Sequence, residues 1–400
     1  MIAFVACPFP ADLSMNETAA PVIVIVTLLG GDGPTGVEAH LHHIRQAALD
    51  DGATVYLVTP YTGNRLARAF YRPLKNARGE RGRIWYRWFQ AWTLRRQVRA
   101  ILERHRHAIV TLYAQCPLAA HAVLNARAEC HSEARAVATV HYNGSEADEI
   151  VSRGWAQPDG PWSHHLRALE RSTLPRLDAV AFVSDFMRRQ VNERLPALRS
   201  VPQATLFNFA EDPGLGAERI PPAADLIAVG TLEARKNQAF LLQVLAECKR
   251  LGKGYTLTVV GDGPDRANLE GLARDLGLAP QVTFLGFQRQ ASTLIPGHRA
   301  LVHAAVAENC PVIIAEALAC GRPVVAGAIG GIPEMFRDRI EGRYWNLDNP
   351  AQAAQCLIDL LDDGPEYTRT AAAARARYEA VFLGLRSQWL RFLLPYPAPA

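Results

Sequence analysis

From Pro21 the chain runs through an apolar stretch, VIVIVTLL, and a glycine-rich turn, GGDGPTG. Val37, Leu41, Ile44 and Ala48 follow at helical spacing, and then a second apolar stretch, ATVYLVT. Strands apolar on both faces, separated by amphipathic helices, predict a parallel sheet covered on both sides, because a helix layer on each face hides both sets of side chains. The same pattern restarts after AEDPGLGAERIPPAA, whose prolines, glycines and small residues suit an interdomain linker. DLIAVG reads as a strand, the segment from Gln238 as a helix carrying Leu241, Val244, Leu245, Cys248 and Leu251, and YTLTVVG as the next strand. A helix with Leu269, Leu272 and Leu276, the strands QVTFLGF and RALVHAA, a further helix and PVVAG complete a second sheet of about six strands. The expected architecture is α/β with two doubly wound domains, residues 1–212 and 213–380. Val381 to Leu394, rich in Leu, Trp and Phe, has two readings: a helix within 381–400 that crosses back to complete the first domain, or an ordinary terminal helix of the second.

Composition narrows the class. At 400 residues, 49% hydrophobic and 20% charged, the chain has material for two cores and reads as soluble and globular. A net charge of +4 with no nucleic-acid motif argues against a nucleic-acid partner. The seven cysteines include no C-x-x-C pair and no zinc-spaced Cys/His cluster, which suggests a reduced, cytoplasmic compartment. IAFVACPFP lacks a basic leader and is broken by prolines, so it makes a poor signal peptide, and Met15 is an alternative start. No apolar run reaches membrane-spanning length.

The stretch AENCPVIIAEALACGRPVVAGAIGGIPE concentrates the chemistry. It places Glu308 in a loop and Glu316 inside a helix, with Pro311 suited to a first helical position. Cys320-Gly321 is a natural helix stop, and at Gly330-Gly331 backbone amides can approach a ligand closely. Two acids thus meet one pocket from different directions. Ionised carboxylates only accept hydrogen bonds, and vicinal hydroxyls offer two donors at matching spacing. The constellation resembles the E-x7-E signature of retaining glycosyltransferase family 4, which has the two-domain GT-B fold with a central cleft. The resemblance implies that Glu308 contacts the donor sugar and Glu316 the nucleotide ribose. It assigns Asn309, Cys310, Pro311 and Val312, the loop and helix start between them, to the donor site.

VGTLEARKNQ, at the end of the second domain's first strand, is similar to the family's phosphate-binding stretch. Lys236 carries over directly. The family arginine position is Thr231, leaving Arg235 as the substitute guanidinium, with Gly230 and, in VVGDGP, Gly261 close by. Cations beside helix amides suit a diphosphate.

In the first domain Gly31, Gly33 and Gly36 match a dinucleotide-binding spacing, but ATVYLVTPYT lacks the acid that should bind a ribose. TGVE instead resembles the family's glycine loop, which makes Gly36 a donor-phosphate contact. Glu38 either faces the cleft or is a favourable first-turn acid, the second reading being preferred. His141, just past a strand in AVATVHYNGS, stands where the family has a histidine near the reacting sugar. Ser184 and Asn208 also resemble family landmarks, although Phe209 replaces a usual glycine.

Between Arg65 and Arg106 lie thirteen Lys or Arg against Glu80 and Glu103. Trp85, Trp88, Phe89 and Trp92 form one helical stripe there, which either packs on the first core or meets an anionic membrane.

The resemblance spans both domains and is strongest from Val229 to Glu334. It implies a glycosyltransferase moving a sugar from a nucleotide-diphosphate donor with retention, with no cofactor and no metal ion. The expected acceptor is a glycan or lipid-linked glycan of a bacterial surface polysaccharide, reached at the inner face of the cytoplasmic membrane. An epimerase or phosphorylase on the same fold and a non-catalytic ligand sensor are the competing readings.

Overall fold

The computed structural model describes residues 20–29, 36–61, 80–142, 144–152, 154–212 and 224–394. Gly31 and Gly33 of the first glycine loop, residues 62–79 of the basic segment, the linker 213–223 and residues 1–19, with Met15, lie outside the described residues. Packing divides the chain into two compact units: Met1–Gly33, Ile44–Leu206 and Arg386–Ala400 form one, Pro34–His43 and Phe207–Leu385 the other.

The first unit is built on six parallel strands: β1 (Val22–Val26), β2 (Thr54–Val58), β3 (Val110–Ala114), β4 (Arg135–Val140), β5 (Ala179–Phe182) and β6 (Gln203–Thr205). Their order is β2-β1-β3-β4-β5-β6. Val24 of β1 lies opposite Tyr56 on one side and Leu112 on the other, and Ile23 to Val26 are wholly buried. The intervening helices are α1 (Gly36–Asp50), α2 (Glu80–Arg104), α3 (Pro117–Glu129), α4 (Glu146–Ser152), α5 (Pro161–Thr173) and α6 (Asp185–Arg194). Parallel neighbours require such crossovers, and the apolar runs of β1, β3, β4 and β5 are buried because helices flank them, whereas the edge strand β2 buries only Val58. Ser184 serves α6 as its N-cap, accepting from the Met187 amide at 3.2 Å.

The second unit repeats the plan with β7 (Ala224–Val229), α7 (Gln238–Arg250), β8 (Leu257–Val260), α8 (Arg266–Asp275), β9 (Val282–Gly286) and β10 (His298–His303). It continues through α9 (Val312–Ala319), β11 (Val324–Gly327), α10 (Ile332–Met335), β12 (Gly342–Trp345), α11 (Pro350–Asp362) and α12 (Gly364–Arg377). The strand order is β12-β11-β10-β7-β8-β9. Helix α9 starts one residue later than the sequence suggests: Pro311, with ψ of 116°, occupies the cap.

The loose composition after Ala210 predicts a boundary at residue 212, but packing assigns Phe207 onward to the second unit. Phe207 stacks on Phe382, the Tyr378 hydroxyl donates to the Ala210 carbonyl at 2.9 Å, and Asp212 pairs with Arg375 at 2.6 Å. Linker composition marks where the chain is unconstrained, and these contacts lie before it.

After a wide helical turn at Tyr378–Phe382 the chain rejoins the first unit through α13 (Leu385–Leu393). Trp389 is completely buried there with its ring against Tyr113, whose hydroxyl is 2.7 Å from Thr139 Oγ1. Trp389→Ala removes one of the largest side chains of this core. It is expected to destabilise the first unit by about 3–5 kcal/mol, measured as a lowered urea midpoint for that unit's transition.

Candidate active site

In the second sheet the chain moves outward in one direction from β7 to β8 and β9 and in the other from β10 to β11 and β12. The loops leaving β7 and β10 therefore diverge at a topological switch point, the place where open α/β sheets bind ligands at the carboxyl ends of their strands. The sequence-predicted residues Gly230, Thr231, Arg235 and Lys236 follow β7, and Glu308 to Val312 follow β10.

After β7 the chain makes a tight turn at Ala234–Lys236 and enters α7 through Asn237 in the left-handed region, at φ 52°. Asparagine tolerates that conformation better than most residues. The turn is stitched to the β10 loop by the Val306 amide donating to the Arg235 carbonyl at 2.9 Å. Side chains complete the seam. Lys236 Nζ bonds Glu308 Oε1, and Arg235 Nη1 lies 3.2 Å from the same oxygen and 2.8 Å from the Ala307 carbonyl. Arg235 Nη2 also pairs with Glu233 at 3.0 Å. Thr231 uses its carbonyl to accept from Gln238 Nε2 at 2.9 Å.

Glycines hold this geometry from behind. Gly330 has φ +55°, and a Cβ there would come within 1.7 Å of the Glu308 carbonyl oxygen, which also accepts from the Gly331 amide at 3.2 Å. Gly261, at φ +138°, packs equally close to the Gly230 carbonyl, 1.9 Å from where its Cβ would stand. Both positions exclude every side chain, so they fix the two loops mechanically.

The electrostatics follow from the seam. Burial pushes the Glu308 pKa up, but Lys236 above all, with Arg235, outweighs it and leaves the carboxyl below its ordinary range. It is ionised at neutral pH. His303, the last residue of β10, is only 5% exposed, and its Nε2 lies 3.8 Å from Glu308 Oε1 without a hydrogen-bond partner. Burial and then the Lys236 charge push its pKa down to about 4, so it faces Glu308 as a neutral imidazole.

Glu316 differs. It sits on α9 among the buried Ile313, Ile314, Ala315, Ala317 and Leu318. Among the described residues its carboxyl has neither a hydrogen-bond nor an ion-pair partner. Burial alone raises its pKa to about 7. A half-sheltered carboxylate without a partner is suited to a ligand that brings hydrogen-bond donors. Among the described residues no side chain caps α9; the Ile314 amide donates to the Pro311 carbonyl at 3.0 Å, and the amides of Val312 and Ile313 ahead of it are the ones suited to an anion. Asn309 and Cys310 are buried, and Cys310 is clamped by Asn208, whose amide lies 3.2 Å from Sγ and whose Nδ2 donates to the Cys310 carbonyl at 2.8 Å.

The first unit carries His141 just past β4. Its Nε2 is 2.8 Å from Gln115 Oε1, which follows β3, and burial lowers its pKa to about 4. With the Gln115 carbonyl oxygen as acceptor, Nε2 holds the proton. Gly36 opens α1 in an exposed position where an added Cβ would meet nothing within 4 Å. Glu38 lies in the first turn of α1 and is buried.

Sequence reasoning passed over His303 and the clamp from Asn208 to Cys310. The available signal for His303 was a lone polar residue closing an apolar strand, RALVHAA, at the sheet's switch point. Among the described residues no cluster of His, Cys, Asp and Glu has the make-up of a metal site.

Comparisons agree with this architecture. The family model "Glycosyltransferase Family 4" matches residues 34–202, and "Glycosyl transferases group 1" matches residues 219–377. A GDP-mannose-dependent alpha-(1-6)-phosphatidylinositol monomannoside mannosyltransferase from Mycobacterium tuberculosis is 28% identical over 303 residues, covering 70% of this chain and 73% of its own. Among solved structures, sucrose-phosphate synthase from Thermosynechococcus elongatus superposes with a TM-score of 0.70 at 17% identity, over 93% of this chain and 98% of its own. Anabaena HepE in complex with UDP-glucose does so with a TM-score of 0.66, also at 17% identity, over 93% and 99%. With two six-stranded parallel sheets of the GT-B type and a family model matched to each half, the chain belongs to glycosyltransferase family 4.

Proposed function

We propose that this glycosyltransferase moves a sugar from a nucleotide-diphosphate donor to a hydroxyl of a glycan or lipid-linked acceptor, with retention of anomeric configuration. The observation that carries the reading is the switch-point cluster: an ionised Glu308 neutralised by Lys236 and Arg235, with an unpartnered Glu316 on the helix that follows. Glu308, paired with Lys236 and Arg235, holds the position of an anion between them. When the donor binds, its diphosphate takes over Lys236 and Arg235, the α9 amides add to that site, and Glu308 is released toward the sugar hydroxyls. Glu316 accepts from the ribose.

The bond from the anomeric carbon to the phosphate oxygen then breaks, and negative charge grows on the leaving diphosphate. Fixed cations and helix amides stabilise that charge without reorganising, a role a metal ion fills elsewhere. The acceptor oxygen forms its bond on the same face, and its proton passes to the departing phosphate oxygen. No enzyme nucleophile is used. His141 is neutral and hydrogen-bonds the reacting sugar.

The Mycobacterium tuberculosis relative is named for GDP-mannose and for a phosphatidylinositol mannoside acceptor, and the Anabaena protein is described with UDP-glucose. Both support a nucleotide-diphosphate donor, and the first supports a lipid-anchored acceptor. Among the described residues no helix is long and apolar enough to cross a membrane. We place the protein in the cytoplasm, working at the inner face of the membrane on a bacterial surface polysaccharide.

A panel of UDP-, GDP- and ADP-sugars, read by thermal stabilisation and nucleotide release, tests this directly. One nucleotide class should stabilise the protein, and release should need an acceptor. Product formation without an acceptor would instead indicate an epimerase.

The two glutamates should separate kinetically. Glu308→Ala is expected to lower turnover about 100-fold or more with donor affinity largely kept. Glu316→Ala should weaken donor binding about 10- to 100-fold, the loss of a charged hydrogen bond, with a smaller effect on turnover.

Because the Glu316 carboxyl titrates near pH 7 when free and hydroxyl donors favour its ionised form, donor affinity should fall as pH drops below 7. Calorimetry across that range should find this dependence in the wild type and its loss in Glu316→Gln. Gly330→Ala should reduce turnover through displacement of the Glu308 loop, with circular dichroism showing an intact fold.

A further inference from the structure

Helix α2 has one face that the fold accounts for and one that it does not. Gln90, Leu94, Val98 and Leu102, four residues apart, are buried. On another face Trp85 is 67% exposed, Trp88 62% and Trp92 37%. The first two meet edge to face at 5.9 Å, and the stripe continues into the exposed Arg96, whose guanidinium lies 5.7 Å from the Trp92 ring. Trp155, 51% exposed, is tethered to the same end of the helix by Arg83, which donates to its carbonyl. Large rings left in water forfeit burial that a core would supply, so a contiguous set of them marks a surface with a partner. Along this helix Arg87, Arg95 and Arg99 pair with Glu146, Glu129 and Glu103 and Arg83 holds the Trp155 carbonyl, which leaves the exposed Arg96 as the cation that extends the ridge.

We infer that this tryptophan ridge docks the first unit onto an anionic lipid surface, with the indoles at headgroup depth and the exposed Arg96 among the lipid phosphates. Tryptophan suits that depth because it joins a broad apolar ring to one polar N–H, and guanidinium groups complement an anionic leaflet. A second copy of the chain is a poor occupant: a two-fold contact would set two strongly basic helices against each other, and like charges across an interface disfavour it. The ridge is also coupled to the first sheet's carboxyl edge. Arg87, between Trp85 and Trp88, pairs with Glu146 at 2.6 Å at the start of α4, shortly after His141. Docking therefore holds the His141 loop beside the lipid surface and restricts the acceptor to one carried on lipid. That consequence rests on the proposed transfer reaction, whereas the docking itself does not.

The test is flotation of the full chain with vesicles of phosphatidylcholine and phosphatidylglycerol, against vesicles of phosphatidylcholine alone, with no sugar nucleotide present. The wild type should float with the anionic vesicles, shift its tryptophan emission to the blue and be released by salt. The Trp85→Ala/Trp88→Ala double variant should lose partitioning at least about tenfold, and Arg96→Glu should weaken it. Thermal stabilisation by the nucleoside diphosphate should remain as in the wild type for both, since these exposed side chains are outside the donor site. Wild-type protein that stays unbound to anionic vesicles overturns the inference, as does a double variant that floats equally well or a ridge that instead captures an acidic protein without binding lipid. Vesicle binding with no transfer to any acceptor would leave the docking intact and refute the transfer reading. Transfer without vesicle binding would do the reverse.

Discussion

Everything at the candidate site depends on one carboxylate, Glu308, being held ionised where the second sheet changes direction. Lys236 and Arg235 reach it from the loop after β7, and His303 faces it from the end of β10. Burial opposes its charge, and the two cations more than compensate. An isolated buried carboxylate would take up a proton instead. The same cations are what a diphosphate would engage, so Glu308 and the proposed donor are alternative partners for one pair of positive charges.

Such an exchange works only if the backbone stays still while the charges change partners. Gly330 and Gly261 supply that stillness, since each packs against a carbonyl where a Cβ has no room. The Asn208 clamp on Cys310 adds a third restraint to the β10 loop. The rigid part of the site is therefore backbone against backbone, and the adjustable part is limited to the ends of Lys236, Arg235 and Glu308. Burial, which raises the Glu316 pKa to about 7, penalises its charged form, so the carboxylate gains from any hydrogen-bond donor brought to it.

The apolar runs were enough to read two doubly wound halves, because a strand buried on both faces leaves an unbroken hydrophobic signature. The spacing of Glu308 and Glu316 and the nearby Lys236 were legible for a different reason: charged residues, two in loops after strands and Glu316 within α9, stand out against apolar surroundings. His303 did not stand out, since it completes a strand that otherwise reads as core. Ser184 looks like a site residue in sequence and caps a helix in the fold, a use that a strand-to-helix serine serves equally well. Periodicity found the stripe of Trp85, Trp88 and Trp92 but not its direction. That direction is set by Leu94, Val98 and Leu102, which take the inward face and leave the larger rings outside. Nor did composition reveal that Phe207 to Asp212 belong with the second unit, because those contacts are made with residues from Cys310 to Phe382, far along the chain.

The exchange of partners at Lys236 is tested most directly by calorimetric affinity for the nucleoside diphosphate, without its sugar, in wild type and in Glu308→Gln. If Glu308 occupies the cations that the diphosphate needs, neutralising it should tighten nucleoside diphosphate binding severalfold even though the variant is impaired in transfer. Unchanged or weaker binding in Glu308→Gln would contradict the account, because Lys236 and Arg235 would then not be the diphosphate's cations.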